Sequence, residues 1–264
     1  DAGGAGSAAS GGVEGGQRGG FGTRAPCQVR QWHHTHVSPN IRTNVGNKQM
    51  AASFGDLVMR TDEARREFET HPAVMDAVAT GMSVERYRAL LLELYHVVWH
   101  FNPVSAAAAS RLPDAFAPVR YFLYEHMQEE AGHEVWVRND IEPVVVSPAT
   151  TQSHAPGVHT LALNGYNYWA ADRRHPCSAL GMLYALEVIA SVYGGPFASA
   201  IQESLLLDGE RGISFISSHA TLDAQHMAEL RQIINTVEDP EALDAIAESA
   251  RVNFHQFMRI IEAL

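Results

Sequence analysis

Lysine is nearly absent from this chain. Lys48 is the only one, and arginine supplies the remainder of the 19 basic residues. A lysine Schiff base is therefore excluded everywhere but at Lys48. Acidic residues number 30, and the formal net charge of -11 argues against nucleic acid and anionic membranes as partners. Cysteine is scarce as well. Cys27 and Cys177 provide neither zinc-finger spacing nor a disulfide framework, although a single bridge between them stays open. No apolar run reaches the ~20 residues of a membrane span, and no charged segment precedes a signal-like apolar stretch. A cytoplasmic protein without membrane contact is the expectation. The second half of the chain also lacks strand-like alternation.

What is present is helical period. Residues 1–24 are rich in Gly, Ala and Ser and carry almost no large apolar side chains, so they read as a flexible tail. Residues 25–50 place Trp32, His33, His34 and His36 among turn formers, and read as an irregular surface arm. Metal binding by this histidine tract is the other reading. The tail and arm of 1–50 thus precede a helical domain over 51–264. From Phe54 the pattern predicts one or two helices across 55–80, broken near His71-Pro72. It predicts a strong helix over 83–102 with Ser83 as its N-cap, interrupted at Asn102-Pro103 and continuing to Arg111. Another helix is expected over 115–138, then a crossing loop over 139–157 that contains Val144-Val145-Val146. Helices follow over 158–173, from a cap at Ser178 to Tyr193 with a break at Gly194-Gly195-Pro196 and a continuation through Leu207, over 210–236, and from Asp239-Pro240 onward. The fold class is all-α, a single bundle of about seven or eight helices.

Chemistry concentrates on four of these helices. In His219-x-x-x-Asp223-x-x-His226, helical spacing puts two imidazoles and a carboxylate within about 60° on one face. Such a cluster suits iron, manganese or zinc. Glu130 and His133 stand three apart. Glu187 lies in an apolar run from Gly181 to Ala190, where an unpaired carboxylate would be costly. Glu93, His96 and His100 share a face of the helix at 83–102. Each has a plainer reading: a solvated face for Glu130 and His133, a buried arginine partner for Glu187, satisfied core histidines for His96 and His100. Carboxylates with imidazoles on several helices are, however, the recurrent recipe for a dinuclear centre in a bundle core.

Two families share this pattern. Taken as Glu93, Glu130-x-x-His133, Glu187 and Asp223-x-x-His226, the order is similar to the ferritin-like di-iron carboxylate proteins, and His219 is left without a role. With His219 included and Glu93 set aside, the chain resembles the heme-oxygenase-like di-iron oxidases over roughly residues 80–235. Their last core helix carries His-x-x-x-Asp-x-x-His. Glu129-Glu130-Ala131-Gly132-His133, and Glu187 followed closely by Gly194-Gly195, agree with that family, which is the preferred of the two.

The resemblance implies Glu130, His133, Glu187, His219, Asp223 and His226 as metal ligands, with Glu93 as an added carboxylate from the earlier helix. Glu130, Glu187 and Asp223 would be the catalytic carboxylates. It implies a pair of Fe(II) ions, with manganese as the other suitable metal, and O2 as co-substrate. The activity implied is oxidation of a small carboxylate-bearing metabolite in natural-product biosynthesis, an amino acid before a fatty acid, by N-hydroxylation, desaturation or C–C cleavage. The alternatives are a fatty-acid oxidative decarboxylase and a ferritin-like carrier without organic substrate. Its partners would be that substrate and an external electron donor, and it allows a homodimer. Arg120, Arg138, Arg173 and Arg174 are candidate clamps for a carboxylate. Tyr95, Tyr124, Tyr184 and Tyr193 are candidate pocket residues, Tyr184 foremost because it lies three residues before Glu187. Thiaminase-type relatives use a catalytic cysteine, and neither Cys27 nor Cys177 is placed for that role. Heme oxygenase needs an axial histidine but not this carboxylate set.

Overall fold

A computed structural model of the protein describes residues 53–144 and 154–264, with the side chains of 220–224 left out. The expected tail and arm of 1–50, Cys27, and Val145 and Val146 of the valine run lie outside these residues. Among the described residues there are nine α-helices and no strand. They are α1 (Ser53–Thr70), α2 (Pro72–Thr80), α3 (Val84–Arg111), α4 (Ala117–Glu129), α5 (His133–Ile141), α6 (Val158–Arg173), α7 (Ser178–Leu205), α8 (Ser214–Ile234) and α9 (Pro240–Glu262). Short 3-10 turns occupy Asp114–Phe116 and Glu142–Val144.

The count exceeds the expected seven or eight because the helix foreseen over 115–138 is two. Gly132 adopts a left-handed φ of 98°, which costs glycine little, and it separates α4 from α5. Conversely, two foreseen interruptions are absent. α3 runs unbroken through Pro103, and α7 through Pro196. A helical proline deprives the carbonyl four residues earlier of its donor. Here those residues are Trp99, 48% exposed, and Val192, 52% exposed, so water can take the place of the missing N–H. At its other end α7 begins with Ser178, but as a buried first residue; the cap position is Cys177, without a side-chain cap bond. Cys177 itself is buried and has no disulfide partner among the described residues. The foreseen cap at Ser83 is present, and Asp239, at the foreseen start of the last helix, caps it by accepting from the Ala242 N–H at 2.9 Å.

The centre of the bundle is α7. By length and composition it could cross a membrane, but its apolar positions are consumed in packing against α8 and α9. α3 packs on α4, α5 and α6, which brings the α4–α5 junction to the inner side of the bundle. α7 and α9 approach closely at Gly181, where a Cβ would run into the Ile246 carbonyl and the Ala250 backbone nitrogen. Gly181→Ala is therefore expected to cost about 2 kcal/mol through overpacking, seen as a lowered Tm. Gly165→Ala on α6, where a Cβ meets nothing within 4 Å, should match or exceed the wild type. Equal melting of the two variants would contradict this α7–α9 contact.

Candidate metal centre

Four helices bring the foreseen side chains together. Glu130 follows the last turn of α4, His133 opens α5, Glu187 lies mid-way along α7, and His219 and His226 project from α8. The helix break at Gly132 leaves Glu130 and His133 in direct contact, with His133 Nδ1 2.6 Å from Glu130 Oε2. His219 Nε2 is 3.2 Å from His133 Nδ1. On the other side of Glu130, Oε1 lies 4.0 Å from His226 Nδ1. His226 Nδ1 is in turn 3.3 Å from Glu187 Oε1. Glu130 thus stands between two groups of donors, one on each carboxylate oxygen. Asp223 belongs to α8 between His219 and His226, and its side chain lies outside the described residues.

A further histidine completes the cluster. His126 of α4 is 3% exposed and places Nε2 3.7 Å from Glu187 Oε1 and 4.0 Å from Glu130 Oε1. Sequence reading passed over it, although a signal was there. His126-x-x-x-Glu130-x-x-His133 repeats the spacing of the motif on α8. Ligand atoms of Glu130, His133 and His219 lie within 4.8 Å of one another, and so do those of His126, Glu130 and Glu187.

The surroundings hold these groups in place. His219 Nδ1 is 2.7 Å from the Phe215 carbonyl, which can only accept, so Nδ1 carries the hydrogen and Nε2 is left as the donor atom turned to the cluster. Asp140 of α5, which sequence reading also missed, caps the start of α8. It accepts from Ser214 Oγ at 2.8 Å and from the Phe215 N–H at 2.6 Å. Trp136 Nε1 donates to the same serine at 2.8 Å. Nothing but helix-cap chemistry would have marked Asp140, and its helix is not the one it caps.

The electrostatics are those of a pocket built around a charge. Burial opposes ionisation of Glu130, yet the His133 contact and the His126 and His219 rings hold its carboxyl below the usual range. Burial pushes His126 and His219 down. His226 moves the other way, to about 9, because of its hydrogen bond to Glu187 and despite burial. Both ring nitrogens of His126 and Oε2 of Glu187 are fully enclosed without a hydrogen-bond partner among the described residues. Each such orphan costs about 1–3 kcal/mol. A cation would satisfy Glu187 Oε2 and one ring nitrogen of His126, Nε2, which faces the carboxylates. Hard carboxylates with imidazoles are a fitting donor set for ferrous or manganous ions, so the residues present suit a metal.

Glu93 is used elsewhere. It accepts from the Gly157 N–H at 3.0 Å and from His154 Nε2 at 2.9 Å, at the N-terminus of α6. Burial opposes its ionisation, but these contacts and that of Thr160 hold its carboxyl below the usual range. A helix N-terminus attracts a carboxylate as a metal would, and here it wins. The neighbours on that face follow Glu93 to α6: His96 donates to the His154 carbonyl and His100 pairs with the Tyr168 hydroxyl.

The cluster forms one wall of a cavity of ≈160 Å³, to which Glu130, Glu187 and His219 contribute. Among the described residues no arginine lines it. Arg120 is tied to Asp114, Arg173 to Asp172 and Arg174 to Glu248, and Arg138 is exposed. Of the tyrosines, Tyr193 lines the cavity, whereas Tyr184 packs on Phe54 and Phe254 and Tyr124 is exposed. Tyr95 is partly buried beside His96.

A family model described as iron-containing redox enzyme matches residues 88–255, more than half of the chain and all of the cluster. The chain belongs to the iron-containing redox enzymes. Solved structures similar to this family member share its fold. A domain of unknown function with a heme oxygenase-like fold from Shewanella denitrificans is 22% identical, with a TM-score of 0.71, covering 81% of this chain and 92% of its own. A TenA homologue from Pseudomonas syringae pv. tomato is 15% identical, with a TM-score of 0.68 and coverage of 83% and 97%. Heme oxygenase-1 from the cyanobacterium Synechocystis, solved in complex with heme, is 16% identical, with a TM-score of 0.65 and coverage of 81% and 92%. No curated protein matches the sequence. The all-α, heme-oxygenase-like architecture expected from the sequence is therefore the observed one.

The raised pKa of His226 has a consequence for the iron-free enzyme. Below about 6.5, the ordinary imidazole value, His226 is protonated folded or unfolded, and its pairing with Glu187 contributes in full. That contribution is lost as pH rises through about 9. With chelator present, the Tm gap between wild type and His226→Gln should be widest near pH 6 and close by pH 10. A gap independent of pH would contradict the pairing.

Proposed function

We propose that this iron-containing redox enzyme is an oxygen-dependent non-heme oxidase with a dinuclear iron centre, acting on an aliphatic-chain substrate of the fatty-acid class. Glu130, His133, Glu187, His219 and His226 would hold the metals, together with Asp223, which rests on the sequence motif. The observation that carries the reading is the position of the acid–imidazole cluster on the wall of a cavity otherwise lined by side chains such as Leu90, Leu94, Val97, Phe101, Ile189 and Phe197. Haem fits this wall poorly, since it asks for an axial imidazole and would leave Glu130 and Glu187 charged against an apolar macrocycle.

When bound, a ferrous pair would supply the electrons that reduce dioxygen. The chain's own residues have separate tasks. Glu130 and Glu187 offset the positive charge of the metals. The Phe215 carbonyl keeps His219 in the tautomer that presents Nε2. The apolar lining excludes water and holds an aliphatic chain with its reactive end toward the cluster. An amino-acid substrate, foremost in the sequence reading, would need a clamp for its carboxylate and a partner for its ammonium. Away from the cluster the described lining holds no charged side chain for an amino acid's two charges, whereas its apolar side chains match an aliphatic chain whose single carboxylate faces the cluster, so the fatty-acid alternative is better supported.

The test is stopped-flow absorption after anaerobic Fe(II) loading and mixing with oxygen, with a ladder of straight-chain fatty acids and a panel of amino acids. Iron oxidation should respond to fatty acids with an optimum chain length. Ala77→Leu, which fills the cavity from α2, should move that optimum to shorter chains with unchanged iron stoichiometry. A response to amino acids alone would overturn the substrate class. Iron oxidation indifferent to every compound would favour the ferritin-like carrier.

A further inference from the structure

The spacing of the motif on α8 occurs a second time, as His126-x-x-x-Glu130-x-x-His133. In space the two runs meet head to tail. The ring of His126 lies 5.0 Å from that of His226, and the ring of His133 lies 4.8 Å from that of His219. Each pair is edge-on, at 72° and 81°. The cluster therefore has two similar ends with a histidine pair at each, and Glu130 between them.

At one end the pair is His133 with His219, both already assigned to the metal under the reading above. At the other end only His226 has been assigned. We propose, resting on that dinuclear reading, that His126 is a ligand of the second metal position, where it joins Glu130, Glu187 and His226. The proposal stands on three observations. His126 is 3% exposed, and neither ring nitrogen has a hydrogen-bond partner among the described residues. Its Nε2 is directed at the carboxylate oxygens Glu187 Oε1 and Glu130 Oε1, at 3.7 and 4.0 Å. Its opposite nitrogen, Nδ1, lies 3.7 Å from Glu129 Oε2.

Glu129 lies behind the ring, on the side away from the cluster. Its Oε2 is also 3.7 Å from Nε2 of His226, so one half-exposed carboxylate backs both histidines of this end. A metal-bound imidazole commonly turns its other nitrogen toward a carboxylate or carbonyl, which fixes the ring and raises its basicity. Glu129, at 3.7 Å from both rings and so beyond hydrogen-bond length, would act as a positioning residue for His126 and His226 once they bind metal, the role that the 2.7 Å contact of the Phe215 carbonyl has for His219. A purely structural histidine would be expected to find hydrogen-bond partners in the core. His126 instead stacks on Phe122 with its ring edge aimed at two carboxylates.

The test is anaerobic Co(II) titration, read from the cobalt absorption bands, with far-UV circular dichroism to follow the fold. Wild type should show two binding steps. His126→Phe should keep the first step and weaken the second by at least about tenfold. His126→Ala should lose the second step likewise and regain it when free imidazole is added, which a structural role would not produce. Glu129→Gln should weaken the second step less than either. Two unchanged steps in His126→Phe, or a lost step that imidazole does not restore in His126→Ala, would overturn the assignment while leaving the dinuclear reading intact. Should His126→Phe fail to fold, the alanine variant with imidazole decides alone. A wild type that binds no cobalt or iron would sink the dinuclear reading and this assignment with it.

Discussion

The constraint on which the structure depends is the burial of two carboxylates, Glu130 and Glu187, among four imidazoles in the middle of an apolar bundle. Charges in such a place destabilise the fold unless something of opposite sign stands beside them. In the protein alone that role falls to the histidines. His133 contacts Glu130, and His226, with its raised affinity for a proton, contacts Glu187. The compensation is incomplete, since one oxygen of Glu187 and both nitrogens of His126 have no partner among the described residues. The cluster is therefore arranged for a cation more than for protons, and an enzyme of the iron-containing redox family has a use for one.

Several features of the fold follow from that demand. Gly132 breaks the helix where Glu130 and His133 must both face inward. Asp140 caps α8 from a different helix and so fixes the height at which His219 meets His133. α7 runs through Pro196 without interruption and carries Glu187 among its buried residues. The cavity beside the cluster is lined mostly by apolar side chains, and a dry wall strengthens the electrostatic interactions at the centre.

Much of this was legible in the sequence because helical period and acid–imidazole spacing are local signals. The helix starts at Ser83 and Asp239, the split at His71-Pro72, and the convergence of Glu130, His133, Glu187, His219 and His226 all rest on such signals. What was misread depended on context. Pro103 and Pro196 look like breaks, but the carbonyls they deprive belong to residues exposed to water. Gly132 looks like a tolerable helix glycine and is in fact the turn. Glu93 has the right spacing for a ligand, yet the N-terminus of α6, which packs against it only in the folded bundle, takes its carboxylate. His126 is the opposite case. It lies in the same spacing as the α8 motif, but its contacts with Phe101 and Glu187 come from other helices and exist only in the folded bundle. Of the arginines named as candidate clamps for a carboxylate, Arg120, Arg173 and Arg174 are engaged by neighbouring carboxylates, the plainer role open to them.

The measurement that tests the central claim most directly is a crystal structure of the protein loaded anaerobically with Fe(II), with anomalous scattering recorded at the iron edge. Two peaks are expected on either side of Glu130, one near His133 and His219 and the other near Glu187 and His226. No peak within the cluster, or a single iron at the centre of a planar macrocycle in the cavity, would contradict the account.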